Sequence, residues 1–288
     1  TLASILSEMN KFLKAIIYLV LCGMLFGLIW GLYAYFVEPQ RFVITKQTIE
    51  VNYWSNQNNN FKIVAISDIH GGAHYMDEAR IRYIVEQANA QNPDLIVLLG
   101  DFISESNGKG SSLMMPVSVM ADNLSGLKAK FGVFAVIGNH DWWHDEKEVR
   151  QNLERVGYRV LENESANFQN NGQTISIIGI EDFWKRRKVD VKNLVENIDP
   201  KQNIIAITHN PDSFDQLPDG ISLLLAGHTH GGQVVIPFYG PPIVVAKREY
   251  TRGLIEKNNQ SLFVTTGVSA MFRFGVPPEI AVVTINSK

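Results

Sequence analysis

Phe61-Lys62-Ile63-Val64-Ala65-Ile66-Ser67-Asp68-Ile69-His70 is an apolar run that ends abruptly in an acid and an imidazole, and the same grammar returns four more times along the chain. Residues 95–99 lead into Gly100-Asp101, 133–137 into Gly138-Asn139-His140-Asp141, 204–208 into His209-Asn210, and 221–226 into Gly227-His228-Thr229-His230. Near-continuous aliphatic and β-branched runs of this length read as strands buried on both faces. Between the first three lie segments of helical character. Residues 77–91 carry Ala79, Tyr83, Ile84 and Ala88 at helical spacing, 113–127 is a weaker case, and 145–156 opens on acids and meets a stop at Gly157. Strand, crossover helix, strand predicts an α/β fold. The carboxyl half adds short strand-like pieces at 174–180, 262–266 and 280–285, and no internal repeat is visible.

In open α/β sheets the ligand site lies outside the carboxyl ends of the strands. The reading therefore places all five tips on one edge of one buried sheet. Of the seven histidines, five stand in these tips, while His74 and His144 lie four residues beyond His70 and His140. Each tip alone is an acceptable turn, but a chain has little structural reason to repeat the device five times. Imidazole, carboxylate and amide oxygen donors suit zinc, manganese or iron, and there are more of them than one ion needs. Two ions held close together need a shared ligand, and Asp101 is the candidate bridge because a carboxylate offers two oxygens.

The ordered series Asp-x-His, Gly-Asp, Gly-Asn-His-Asp, His, Gly-His-x-His resembles the signature of the calcineurin-like metallophosphoesterases, over about residues 61–288. The resemblance implies a four-layer α/β/β/α sandwich with two divalent metal ions (Mn, Fe or Zn) at one edge of the sheets. It puts one ion on Asp68, His70, Asp101 and His230, and the other on Asp101, Asn139, His209 and His228. His140 matches the family's catalytic histidine, which is not a metal ligand. Residues 227–233 together with the late stretch 273–280 are similar to the membrane-associated bacterial YaeI/YkuE-like phosphodiesterases, and that likeness puts Arg273 near the active edge as a candidate phosphate clamp. The chain departs from the protein Ser/Thr phosphatases, whose Gly-Asp motif continues with arginine where Phe102 stands here. It departs equally from the lipid-A pyrophosphatases, which carry arginine at the place of His140. Because every expected ligand position is filled, a non-catalytic scaffold is disfavoured.

Composition bounds the alternatives. The chain has 288 residues, 45% hydrophobic and 19% charged, enough apolar content for a large core. A single cysteine excludes an internal disulfide and a thiolate zinc site. A net charge of −3 offers no global basic field for a polyanion, and the absence of an evident basic groove leaves no specific nucleic-acid partner expected.

Ala15 to Val37 is a run of 23 residues without a charge, about 34 Å long as a helix. A cleaved signal would be shorter and end in small residues, whereas this run ends in Tyr33-Ala34-Tyr35-Phe36-Val37. A core helix would keep a polar face. The membrane anchor is the reading that remains, with Trp30, Tyr33 and Tyr35 as an interfacial belt. The expected organisation is a cytoplasmic flank at 1–14, a single transmembrane helix at 15–37, a linker at 38–60 and the metallophosphoesterase domain at 61–288. Lys11 and Lys14 before the run, against Glu38, Arg41 and Lys46 after it, favour a domain that faces outward. Met9 resembles a natural start, which would make residues 1–8 an upstream extension.

Two features keep two readings each. Lys185-Arg186-Arg187-Lys188, beside Trp184, is either a solvated loop or a contact for anionic headgroups or a substrate phosphate. Trp142 and Trp143 either wall an apolar substrate group or pack under their own loop. The expected activity is hydrolysis of a phosphate ester, as a phosphodiesterase or pyrophosphatase on a lipid-linked or nucleotide substrate near the membrane. A broad phosphomonoesterase or a soluble-substrate phosphodiesterase is the alternative.

Overall fold

The computed structural model describes residues 10–106, 111–186, 189–196, 198, 203–269 and 272–288. Residues 1–9, and with them the expected start at Met9, lie outside the described residues, as do Arg187 and Lys188.

The apolar runs become strands β2 (Phe61–Ile66), β3 (Leu95–Leu98), β4 (Val133–Ala135), β8 (Asn203–Thr208) and β9 (Leu223–Ala226). They do not share one sheet. With β1 (Val43–Val51), β5 (Arg159–Val160) and β12 (Glu279–Ser287), the first three form a six-stranded sheet of order β1-β12-β2-β3-β4-β5. With β6 (Glu164–Asn170), β7 (Gln173–Ile180), β10 (Gly253–Lys257) and β11 (Gln260–Val264), the last two form a second, of order β10-β11-β9-β8-β7-β6. The reason is that each run must bury both faces, and two stacked sheets provide this. Along β3, Leu95 and Val97 enter the layer between the sheets, where they meet Ile205, Ile207, Leu223 and Leu225, while Ile96 and Leu98 enter the outer core.

The outer core of the first sheet is covered by α2 (Glu78–Asn89), α3 (Val117–Leu124) and α5 (Glu146–Arg155), with the short α4 (Asn139–His144) just before α5. Asp77 caps α2 by accepting the Arg80 N–H at 2.8 Å, and Asp145 caps α5 by accepting those of Lys147 and Glu148. On the second sheet α6 (Val191–Val195) and a 3-10 turn at Pro211–Gln216 bring Val191 and Phe214 onto Ile178, Ala206 and Leu224. The result is the expected α/β/β/α layering.

The supposed linker is structured. Val43–Val51 pairs in parallel with Glu279–Ser287, so a stretch read as spacer is an edge strand of the first sheet. The apolar segment forms α1 (Lys11–Leu32), 22 residues with none of them buried, long and apolar enough to cross a membrane. It continues as a π turn over Tyr33–Val37 in which Ala34 is buried against the domain. The last turns of the expected span therefore pack on protein.

Candidate metal centre

The strand ends of both sheets meet at one edge, and the tips there are backbone specials. Asp68, His70, Asp101, His228 and His230 all have positive φ, between 47° and 70°. Non-glycine residues hold that conformation at a cost of about 1–3 kcal/mol each, so the surrounding structure over-determines these tips. Glycine is required where the tips touch. A Cβ on Gly138 would collide with the backbone nitrogen and Oδ1 of Asp101, and one on Gly227 with the Ser67 hydroxyl.

All seven expected ligand residues converge. Asp101 Oδ2 lies 3.3 Å from His209 Nε2 and 3.7 Å from His70 Nε2, so it stands between the two groups. On one side Asp68 Oδ1 is 3.5 Å from His230 Nε2. On the other, His209 Nε2 is 3.0 Å from both Asn139 Oδ1 and His228 Nδ1. Three histidines are oriented by backbone carbonyls. The Nδ1–H of His70 donates to the Ile103 carbonyl, that of His209 to Leu99 and that of His230 to Ser269, at 3.1, 2.7 and 3.0 Å. A carbonyl only accepts, so each bond assigns a proton to Nδ1 and turns Nε2 inward, the support typical of metal-ligating histidines.

The electrostatics agree. Burial pushes the His70 imidazole down to about 4 and that of His230 down to about 3, which leaves both neutral near pH 7 with a lone pair to give. Burial also opposes ionisation of Asp101, yet the adjacent His209 holds its carboxyl well below the usual range. His209 in turn, against its burial, is pushed up to about 10 chiefly by Asp101. The buried carboxylates thus draw positive charge to this point. Asp68 Oδ1 is buried with no hydrogen-bond partner, an orphaned acceptor aimed into the cluster. Carboxylate and amide oxygens together with imidazole nitrogens, turned toward one another in a buried cluster, fit divalent cations.

His140, half-buried, sits at the mouth. Its N–H donates to Asp101 Oδ1 at 2.8 Å, and its ring meets His70 edge-on at 4.8 Å and Trp143 at 5.0 Å. Two expected substrate contacts are differently used. Arg273 is fully buried, with Nη2 donating to the carbonyls of Thr266, Gly267 and Ser269 and Nη1 to those of His230 and Val276. It holds the loop behind His230. Trp142 is half-buried, packs on the outer core and donates its Nε1–H to Asp182 Oδ2 at 2.8 Å. Beside the cluster Trp143 and Trp184 stack their rings at 6.2 Å, and Trp184 stands edge-on to His228 at 4.4 Å. The described part of the basic run is paired, Lys185 with Glu146, Glu162 and Glu181, and Arg186 with Glu181.

Sequence reasoning missed three residues. Asp141, fully buried, accepts the backbone N–H groups of Asp101, Phe102, Ile103 and Gly138 and so clasps two tips together. Its adjacency to Asn139 and His140 was the available signal. Trp184 and Ser269 carry none, since the contacts that define them come from distant segments.

Residues 61–232 match the family model described as Calcineurin-like phosphoesterase. The chain is 29% identical over 263 residues to the Uncharacterized metallophosphoesterase YkuE of Bacillus subtilis (strain 168), across 88% of this chain and 89% of that protein. To Phosphodiesterase YaeI of Escherichia coli (strain K12) it is 26% identical over 260 residues, across 88% of this chain and 92% of that protein. Among solved structures, Haemophilus influenzae NAD nucleotidase (NadN) aligns with a TM-score of 0.50 at 15% identity, across 73% of this chain. The chain spans about half of that protein, 51%, and the likeness speaks for the fold.

Proposed function

The chain belongs to the calcineurin-like phosphoesterases and is a phosphoric ester hydrolase that works with divalent metal ions, and from that premise we propose that it is a membrane-anchored phosphodiesterase acting on a lipid-linked diester. The observation that carries the proposal is the convergence of Asp68, His70, Asp101, Asn139, His209, His228 and His230 at one edge, their donor atoms turned toward one another. Asp68, His70, Asp101 and His230 would hold one ion, and Asp101, Asn139, His209 and His228 the other. Two bound ions, manganese, iron or zinc by donor chemistry, acidify a water and neutralise phosphoryl charge.

The chain's own groups do the rest. Asp101 joins the two halves through Oδ2, which faces both His70 and His209, while its Oδ1 accepts the His140 backbone N–H. His140, tied by its N–H to Asp101 and open to the mouth, stabilises the phosphoryl charge or protonates the leaving oxygen, work suited to an imidazole near neutral pH. Trp143 and Trp184 border the mouth and offer an apolar wall to the part of the ester beyond the phosphate. The kinship with YaeI, itself named a phosphodiesterase, supports a diester over a monoester. The 22-residue helix α1 supports a substrate met at the membrane, and Lys11 and Lys14 at its start support an outward-facing domain.

His140→Ala tests the assignment. Turnover of bis(p-nitrophenyl) phosphate with Mn²⁺ should fall by about 10²–10⁴-fold, while metal content measured by mass spectrometry stays unchanged. His140 also lies within ligand distance of His70 and Asp101. Loss of metal in the variant would make it a ligand and end its assignment as the acid.

A further inference from the structure

Beyond Gln233 the chain runs Val234-Val235-Ile236-Pro237-Phe238-Tyr239-Gly240-Pro241-Pro242-Ile243-Val244-Val245 without a charge. It lies at the surface. Phe238 is fully exposed, Ile243 is 75% and Tyr239 69% exposed. A contiguous apolar display of this kind marks an interaction surface. The backbone builds it deliberately. Ile236 and Gly240 exchange N–H to carbonyl hydrogen bonds of 3.0 and 2.8 Å, and Phe238 sits at φ 66°, a left-handed conformation that a bulky residue keeps only under constraint.

Its position says what it meets. The Val235 N–H donates to the Phe274 carbonyl at 2.7 Å, and the Phe274 N–H to that of Gln233 at 2.9 Å. The Phe274 ring lies 4.2 Å from that of Trp30, near the end of α1, at the level where tryptophans of spanning helices stand in the bilayer interface. The Arg273 N–H, next in the chain, donates to the Ala34 carbonyl at 2.9 Å. The exposed turn is therefore fastened beside the point where the helix leaves the membrane. The same segment walls a cavity of about 240 Å³, lined by Val234, Pro242, Ile243 and Val245 together with His230 and Gln233.

We propose that segment 234–245 is the lipid entrance of the enzyme. Phe238 and Tyr239 seat in the leaflet beside α1, and the mostly apolar cavity behind them takes the hydrocarbon chain of the ester whose phosphate reaches the metal centre. This rests on the reading of the chain as a membrane-anchored phosphodiesterase. Continuity with α1 through Trp30 and Phe274 selects lipid as the occupant.

The test uses the full chain in vesicles of phosphatidylethanolamine and phosphatidylglycerol with Mn²⁺. One substrate is bis(p-nitrophenyl) phosphate in the water, and the other is a phosphatidyl p-nitrophenyl diester in the bilayer. Phe238→Ser combined with Tyr239→Ser, both at exposed positions, should lower kcat/KM for the lipid diester by about 100-fold, the scale expected from two lost apolar insertions. The soluble ester should be cleaved as before. Undiminished turnover of the lipid diester, or equal loss on both esters, overturns the proposal. In a Cys22→Ser, Phe238→Cys chain, a fluorophore at position 238 should be quenched by nitroxides on the acyl chains. An unquenched probe overturns the proposal even where hydrolysis proceeds. Should the unaltered chain cleave neither diester, the phosphodiesterase reading fails, and the quenching still decides whether the segment lies in the bilayer.

Discussion

Asn139, His209 and His228 stand on one side of Asp101, and Asp68, His70 and His230 on the other, and the two sides rest on different supports. The first side is deep. Its three residues are exposed by 2%, 0% and 5%, His209 closes β8 of one sheet, and its Nδ1–H is held by Leu99 at the end of β3 in the other. Its geometry is set where two strand ends abut. The second side is shallower and leans on loops. His70 is oriented by Ile103, and His230 by Ser269, whose carbonyl is gripped by Arg273 at 2.6 Å. Arg273 in turn reaches Ala34 at the end of the apolar helix. One half of the centre is thus a product of the sheet stack. The other is continuous with the end of the apolar helix, so that helix is part of the scaffold of the site.

Asp101 belongs to both sides, and changing it should erase the contrast. Asp101→Asn keeps the shape of the side chain and removes the shared charge. We expect both ions to be lost and turnover of bis(p-nitrophenyl) phosphate to fall by more than about 10⁴-fold, past the upper end of what a general acid supplies. Elemental analysis of the purified variant checks this, and retention of a full complement of metal would show that the halves do not share Asp101.

Much of this contrast could be read in the sequence, and the part that could not has a common cause. The deep half was legible because burial writes apolar runs such as residues 204–208, and tight contact between tips demands glycine before Asn139 and before His228. The division of the runs between two sheets was not, since a strand buried on both faces looks the same in either. β1 was hidden because its burial is partial and its partner, β12, lies at the far end of the chain. Arg273 misled for a related reason. The family likeness placed it near the active edge as a phosphate contact, whereas its two Nη groups are taken by five carbonyls, of Thr266, Gly267, Ser269, His230 and Val276, a set assembled only by the fold. What supports the shallow half is non-local, and local pattern does not record it.

Arg273→Met therefore separates the halves. The loop carbonyls lose their donor, Ser269 is released, and His230 loses the bond that orients it. Second-layer changes of this kind cost about 10–100-fold in metal affinity, and we expect that loss on the Asp68, His70 and His230 side alone. Stepwise calorimetric titration with Mn²⁺ should show one weakened and one unchanged event. Equal weakening of both would mean that the two sides form one unit.

Glu38→Gln carries the same logic to the helix end with a smaller expected effect. Glu38 is 2% exposed, and its Oε1 accepts the Val276 N–H at 2.8 Å. Its carboxylate is also one of the negative charges near the buried Arg273 guanidinium, which burial pushes down to about 10. Glutamine keeps the size and the acceptor and removes only the charge. A hydrogen bond to a charged partner exceeds a neutral one by about 1 kcal/mol, so metal affinity on the His230 side should weaken by about fivefold, with the His209 side unmoved. The same titration reads it. A chain in which Arg273→Met weakens that side and Glu38→Gln does not would place the support of His230 in the loop alone, and would cut the link between apolar helix and metal centre at the Ala34 and Glu38 contacts.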